Sequence, residues 1–256
     1  MKIIVCVKQV PSSNEVRLDP VRKTIIRDSS EAVINPFDVT AAEAAVQIRE
    51  KLGGTVTALS MGIPASERLL RDEIARGADN AVLLTDRAFA GADTLATSYT
   101  LSKAIEDLGG ADLILCGKMA TDGDTAQIGP ELASWLNLPC VTDVSALLEV
   151  TEKQIICRRN TDAGAETVNV SLPAVLTIVK NLTTPRLPSI EGIRRSLKAD
   201  LKILDAKGLG ADPARIGLDG SPTQVIRTFP QQEKGEAVPF EKSEAASEVK
   251  KLWEEL

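Results

Sequence analysis

Residues Asp112–Ala133 read DLILCGKMATDGDTAQIGPELA. The first six combine a continuous apolar run with a glycine stop, which suits a strand buried on both faces of a parallel sheet. A loop of glycine, small hydroxyl and carboxylate residues follows. A helical pattern comes next, with Ile128, Leu132 and Trp135 on one face. Strand, small-residue turn and helix N-terminus, in that order, aim backbone N–H groups and the positive end of a helix dipole at one small volume. That arrangement can hold a pyrophosphate without cationic side chains, with Gly117 and Gly123 permitting close approach and Thr125 and Gln127 adding hydrogen bonds. Asp122 and Asp124 would repel a phosphate, so they are expected to cap N–H groups or meet ribose hydroxyls. The pattern is neither G-x-G-x-x-G nor a Walker A motif, and a plain helix cap with a tight turn is the competing reading.

The same rhythm runs through the upstream sequence. KIIVCV (Lys2–Val7), TVTALS (Thr55–Ser60) and NAVLLT (Asn80–Thr85) are further apolar strands, and Asp38–Lys51, Ala65–Arg76 and Asp93–Leu108 carry apolar residues at helical spacing. Gly53-Gly54, Gly77 and Gly109-Gly110 follow these helices, where a left-handed cap favours glycine. A β-α-β-α-β-α-β series of this kind predicts an α/β fold with a doubly wound, mostly parallel sheet. After Pro139 the short alternating runs Ala146–Val150, Gln154–Arg159 and Thr167–Leu172 predict a hairpin addition near 144–172, and AVLTIV after Pro173 predicts one more strand. The domain so read spans 1–185. From 186 to 256, glycine and proline punctuate a stretch too long for a plain loop, which is read as an extended arm lying on something else. The arm ends in Ser243–Leu256, where Val249, Leu252, Trp253 and Leu256 form the apolar face of an amphipathic helix that covers either its own domain or a partner.

Composition narrows the chemistry. The chain has 256 residues, 43% of them hydrophobic, and 30 Lys and Arg against 36 Asp and Glu, a net charge of −6. This balance argues against a nucleic-acid footprint. There is no histidine, which excludes Ser-His-Asp and Cys-His catalysis and every imidazole metal site. A cofactor or partner chain must then supply most of the chemistry. Cys6, Cys116, Cys140 and Cys157 are dispersed and read as buried, reduced thiols. Lys8 and Gln9 cut the first apolar run too short for a signal peptide, and no stretch approaches the roughly 20 apolar residues of a membrane span. The reading is a cytoplasmic protein with no membrane insertion and no metal.

An open parallel sheet binds ligands beyond the carboxyl ends of its strands, where strand order reverses. Besides the loop at Gly117–Ala133, two segments fall there: Cys6–Pro11 after the first strand, and Asn35-Pro36-Phe37-Asp38 before a helix. In the second, Asn and Asp can cap the helix or bond a purine or ribose. A further segment, Ala88-Phe89-Ala90-Gly91-Ala92-Asp93-Thr94, also opens a helix. There a plain N-cap by Asp93 or Thr94 competes with a second nucleotide site.

KIIVCVKQVP at the start, INPFD at Ile34–Asp38, GKMATDGDTAQIGPELA at Gly117–Ala133 and RRNTDAGAETVNVSLPAVLTIVKNLTTPR at Arg158–Arg186 together resemble the beta subunit of electron transfer flavoproteins, in order and over essentially the whole chain. The resemblance implies a Rossmann-like nucleotide-binding fold and a heterodimer whose alpha subunit carries one FAD. In the simple electron carriers of this family the beta subunit holds AMP, and the loop has three consecutive acidic residues. In the bifurcating type it holds a second FAD that accepts hydride from NADH. TDGDTAQIGP at Thr121–Pro130 and DRAFAGADTLATSYTLS at Asp86–Ser102 are similar to the bifurcating type. Carried over by position, the adenine and ribose contacts are Cys6, Asn35, Phe37, Asp38 and Met61. The phosphate-side contacts are Gly117, Lys118, Asp122, Gly123, Asp124, Thr125, Gln127 and Ile128. The pyridine-nucleotide loop comprises Phe89, Ala90, Gly91, Asp93 and Thr94, and an aliphatic anchor for an acyl-CoA dehydrogenase-type partner falls at Ile190.

The function so implied sends electrons from NADH along two routes. One leads to a low-potential acceptor such as ferredoxin or flavodoxin, and the other passes through the alpha-subunit FAD to an acyl-CoA dehydrogenase or reductase. The alternatives are a non-bifurcating carrier with structural AMP and, from another class, a stand-alone adenine-nucleotide sensor.

Overall fold

The computed structural model describes residues 1–12, 32–226 and 245–254. Its centre is a nine-stranded sheet whose first four strands in sequence fall where the apolar runs predict: β1 (Lys2–Cys6), β4 (Thr55–Met61), β5 (Asn80–Leu84) and β6 (Leu113–Gly117). Between β1 and β4 a two-stranded antiparallel ribbon, β2 (Gln9–Pro11) with β3 (Ala32–Ile34), leads into helix α1 (Pro36–Leu52). Helices α2 (Glu67–Arg76), α3 (Thr94–Asp107) and α4 (Ile128–Leu136) follow β4, β5 and β6. The glycines after α1 and α2 have positive φ, 76° at Gly53 and 133° at Gly77, and both amides close back on the helix.

The remaining strands are β7 (Cys140–Val150), β8 (Gln154–Thr161), β9 (Gly164–Ser171), β10 (Ala174–Ile178) and β11 (Lys202–Leu204). The sheet order is β11-β5-β4-β1-β6-β10-β7-β8-β9; the first seven are parallel, and β8 and β9 run antiparallel. The hairpin addition is therefore continuous with the main sheet. β7 begins at Cys140, six residues before the alternating run, because its first half pairs in parallel with β10.

Side-chain alternation divides the core into two layers. Ile3, Val5 and Val7 face Ala41, Ala45 and Ile48 of α1 and Leu70 of α2, whereas Ile4 and Cys6 face Leu101 and Ile105 of α3 and Leu132 of α4. Both faces of the parallel sheet are covered, which is why its strands read as unbroken apolar runs. From β1 the chain steps outward to β4 and β5 and returns through α3 to β6 on the other side of β1. The topological switch point thus lies between the carboxyl ends of β1 and β6.

Much of the stretch read as an arm lies on this chain. Helix α5 (Ile190–Lys198) packs against α2, where a Cβ on Gly192 would stand 2.1 Å from the Ala75 carbonyl oxygen and Arg195 Nη2 donates to the Ile74 carbonyl at 2.8 Å. β11 then joins β5 at the sheet edge. Of the C-terminal apolar face, Val249 and Trp253 on α6 (Ala245–Glu254) are exposed; the Leu252 side chain and Leu256 lie outside the described residues. Among the described residues no helix is long and apolar enough to cross a membrane.

Candidate functional site

The INPFD segment builds the floor of the switch point. Asp38 Oδ2 accepts the Lys8 amide at 2.8 Å and Oδ1 accepts the Gly117 amide at 3.0 Å, so one carboxylate ties the ends of β1 and β6 together. Asn35 donates its amide N–H to the Lys8 carbonyl at 2.9 Å, and its side chain donates to the Met119 carbonyl at 2.8 Å and accepts from the Thr121 amide at 3.3 Å. Asn35 occupies the N-cap of α1 but makes no side-chain cap bond. Its side chain serves the neighbouring loop, and Pro36 at the first helical turn has no N–H to cap. Burial pushes the Asp38 carboxyl up to about 7, opposed by the Lys8 and Gly117 amides and Asn35. Gly117 has no room for a side chain: a Cβ would stand 2.3 Å from Asp38 Oδ1 and 2.6 Å from Phe37 Cβ.

Beyond Gly117 the loop turns on the Ala120 carbonyl, which accepts the Gly123 amide at 3.2 Å and the Asp124 amide at 2.8 Å. Asp124 (φ 53°) and Ala126 (φ 54°) then take left-handed backbone, a conformation costing on the order of 1 kcal/mol for an alanine. Gln127, at the N-cap of α4, makes no side-chain cap bond. Among the described residues the amides from Thr125 through Gly129 have no hydrogen-bond partner, and the space in front of Gly123 is open. The start of α4 is held by Gly129, whose Cβ would stand 2.3 Å from Thr177 Cγ2 of β10. Two lysines flank the loop, and both are ion-paired: Lys8 with Asp122 at 2.7 Å and Lys118 with Asp143 at 2.5 Å. Asp122 therefore meets a lysine rather than a backbone amide.

Cys6 and Cys116 are register partners on β1 and β6, buried beneath the site. The hydrogen bond with Cys6, followed by burial, raises the Cys116 thiol well above its ordinary value, so Cys116 is not a reactive thiolate. Met61 ends β4 and packs on the same core layer. Thr125 and Gln127 are exposed on the loop, and Ile128 opens α4 half-buried.

The second candidate loop adjoins the first. Asp86 caps a 3-10 turn over Arg87–Phe89, and Asp93 caps α3 through the Ala96 amide. Phe89 is 5% exposed and packs in the core. Ala90 and Gly91 are exposed. Thr94 Oγ1 lies 3.3 Å from Gln127 Oε1 and 3.0 Å from Glu131 Oε1, which brings the N-termini of α3 and α4 together. Ile190 stands apart from both loops, 76% exposed at the start of α5, with Ile193 and Leu197 exposed one and two turns on.

Lys8 belongs to the Cys6–Pro11 segment that the sequence places at the strand end. Asp143 and Thr177 also shape the site but do not stand out in the sequence. Asp143 carries left-handed backbone (φ 60°) inside β7, and its amide bonds Thr177 Oγ1 at 3.0 Å; no local pattern announces either.

Fold and site together define a doubly wound α/β protein with an amide-rich loop open at its switch point. The family model for the electron transfer flavoprotein domain matches residues 23–208. The chain is 50% identical over 229 residues to "Electron transfer flavoprotein subunit beta" of Thermoanaerobacterium thermosaccharolyticum, covering 89% of this chain and 87% of that protein. It is 44% identical over 236 residues to "Caffeyl-CoA reductase-Etf complex subunit CarD" of Acetobacterium woodii (92% and 90%), and 41% identical over 248 residues to "Protein FixA" of Azotobacter vinelandii (93% and 88%). The chain belongs to the electron transfer flavoprotein family, on its beta-subunit side.

Proposed function

We propose that this chain is the beta subunit of a heterodimer with an alpha subunit, and that it holds FAD at the switch point between β1 and β6. The complex would accept hydride from NADH and divide the electrons between a low-potential acceptor, ferredoxin or flavodoxin, and an acyl-CoA dehydrogenase- or reductase-type protein reached through the alpha-subunit FAD. The observation that carries the reading is the run of amides from Thr125 through Gly129, unpartnered among the described residues, beside the joined ends of β1 and β6. Such amides at a helix N-terminus suit a diphosphate. A flavin bound there supplies two-electron acceptance from a hydride donor and one-electron release.

The chain's own residues do the holding. Asp38 and Asn35 fix the strand ends and the start of the loop. Asp122 keeps the Lys8 ammonium at the rim, and Gly123 leaves the approach clear. The contact of Thr94 with Gln127 makes the proposed NADH loop, Phe89–Thr94, a neighbour of the proposed flavin loop. The exposed stripe Ile190, Ile193 and Leu197 is an apolar face suited to the acyl-CoA-type partner, with Ile190 as anchor. The likeness to a subunit named for a caffeyl-CoA reductase complex favours this partner class.

Anaerobic titration of the co-purified heterodimer with NADH tests the reading. Bleaching equivalent to two flavins supports it. A complex that NADH leaves fully oxidised contradicts it.

A further inference from the structure

The loop from Asp86 to Thr94 is shaped by another part of the chain. Phe89 is its one buried residue, so its own packing fixes little of its form. Residues 204–223 run along it as a strap. At one end the Thr85 amide donates to the Leu204 carbonyl at 3.0 Å, and Asp86 Oδ2 accepts the Ala206 amide at 3.0 Å. At the other end the Asp93 amide donates to Ser221 Oγ at 2.8 Å, and Asp93 Oδ2 accepts both the amide (3.1 Å) and the hydroxyl (2.9 Å) of Thr223. In between, the backbones touch: a Cβ on Gly217, whose φ is 53°, would stand 2.1 Å from the Ala88 carbonyl oxygen.

The strap is itself anchored on the adjoining helices. The Arg215 guanidinium lies 4.3 Å from the centre of the Tyr99 ring and 4.5 Å from that of Trp135, and the Asp212 amide donates to the Tyr99 hydroxyl at 3.2 Å. Asp93 is occupied twice over, capping α3 with one carboxylate oxygen and holding the strap with the other. Burial raises its pKa, and the amides of Ala96, Thr223 and Leu95 with the Thr223 hydroxyl outweigh that and hold it below the usual value.

We propose that the 204–223 strap is a positioning element for nicotinamide dinucleotide binding, with Ser221 and Gly217 holding the 86–94 loop in the form that receives it. The inference rests on the NADH reading above. A loop fastened at both ends is ordered before its ligand arrives. Loosening it lowers the fraction of competent molecules, and the apparent dissociation constant rises by the inverse of that fraction. Both residues act through the loop, so the rate within the bound complex is expected to stay unchanged.

The test uses the co-purified heterodimer and rapid-reaction titration of flavin reduction with NADH. Ser221→Ala and Gly217→Ala should each raise the NADH concentration for half-maximal reduction about tenfold. The limiting reduction rate and the flavin content should stay at wild-type values, and Ser221→Thr, which keeps the hydroxyl, should restore tight binding. Should Gly217→Ala fail to fold, Ser221→Ala decides alone. If wild type is reduced by NADH and Ser221→Ala has unchanged half-saturation, even with a lowered melting temperature, the strap is only structural and the proposal is overturned while the NADH reading stands. If wild type is not reduced at all, both fall together.

Discussion

Replacing Gly117 by alanine separates the scaffold of the site from its ligand-facing surface. The added Cβ would stand 2.3 Å from Asp38 Oδ1, 2.6 Å from Phe37 Cβ and 2.9 Å from the Asp38 amide nitrogen. Asp38 cannot yield cheaply, because its other oxygen holds the Lys8 amide. Forcing a methyl group into such a site costs about 1–3 kcal/mol, and weakening the Gly117–Asp38 hydrogen bond adds about 1 kcal/mol. The lower entropy of the unfolded alanine chain returns about 0.4–1 kcal/mol. The net is about 2 kcal/mol, which for a chain of this size lowers the melting temperature by roughly 4–8 °C. Gly123 gives the opposite result. A Cβ there meets nothing within 4 Å, so Gly123→Val should change stability by no more than about 0.5 kcal/mol and yet strip bound nucleotide from the purified complex. Thermal unfolding and nucleotide released per chain, measured on both variants, check the pair. A Gly117→Ala protein that melts with wild type, or a Gly123→Val protein with full nucleotide content, would refute the assignment.

Glu73 is 1% exposed on α2, one of its oxygens has no partner among the described residues, and burial pushes its carboxyl up to about 8. An acid raised on folding lends stability that is complete below its ordinary value near 4.5 and lost as pH rises through about 8. Glu73→Gln should therefore exceed wild type in urea midpoint at pH 9, with the gap shrinking toward pH 5; parallel pH profiles would contradict this. Arg186 bridges Glu43 at 2.9 Å and Glu50 at 2.6 Å. Burial raises the Glu43 carboxyl, and the Arg186 hydrogen bonds outweigh it and hold it below its usual value. Arg186→Ala leaves that buried carboxylate without its arginine charge, with the Gln47 side chain and the backbone amide at position 186 as its remaining donors among the described residues. It should cost about 2–3 kcal/mol at pH 7, less than a fully buried pair because the arginine is partly exposed; an unchanged denaturant midpoint would contradict it. Ile190→Asp, at an exposed position, should leave melting and flavin content unchanged and slow electron delivery to an acyl-CoA dehydrogenase-type acceptor by about tenfold. A wild-type rate would remove Ile190 as the anchor.

What the sequence discloses follows from the range of the interactions involved. The strand–loop–helix at Asp112–Ala133 and the three preceding βα units are legible because burial on both faces writes itself locally as apolar runs, and helix ends write themselves as glycines. Glu73 was legible in principle: it sits four residues after Leu69 and three after Leu70, on the apolar face of α2. Asp38 was readable as a helix-start residue but not as the clamp between β1 and β6, since its partners lie 30 and 79 residues away. Helix α5 carries Ile190, Ile193 and Leu197 at helical spacing, but it is only nine residues long and lies in a stretch that proline and glycine punctuate as loop. β11 has three residues and exists only because the edge of β5 accepts it. The strap's hold on the 86–94 loop joins Asp86 and Asp93 to Ala206, Ser221 and Thr223, which lie 120–130 residues away, so no local pattern discloses it.

The amides between Thr125 and Gly129 are proposed to receive the diphosphate of a flavin. Denaturing release and chromatography of the nucleotides bound to the co-purified heterodimer test it most directly. Two FAD per heterodimer and no AMP are expected; one FAD with one AMP would overturn the assignment.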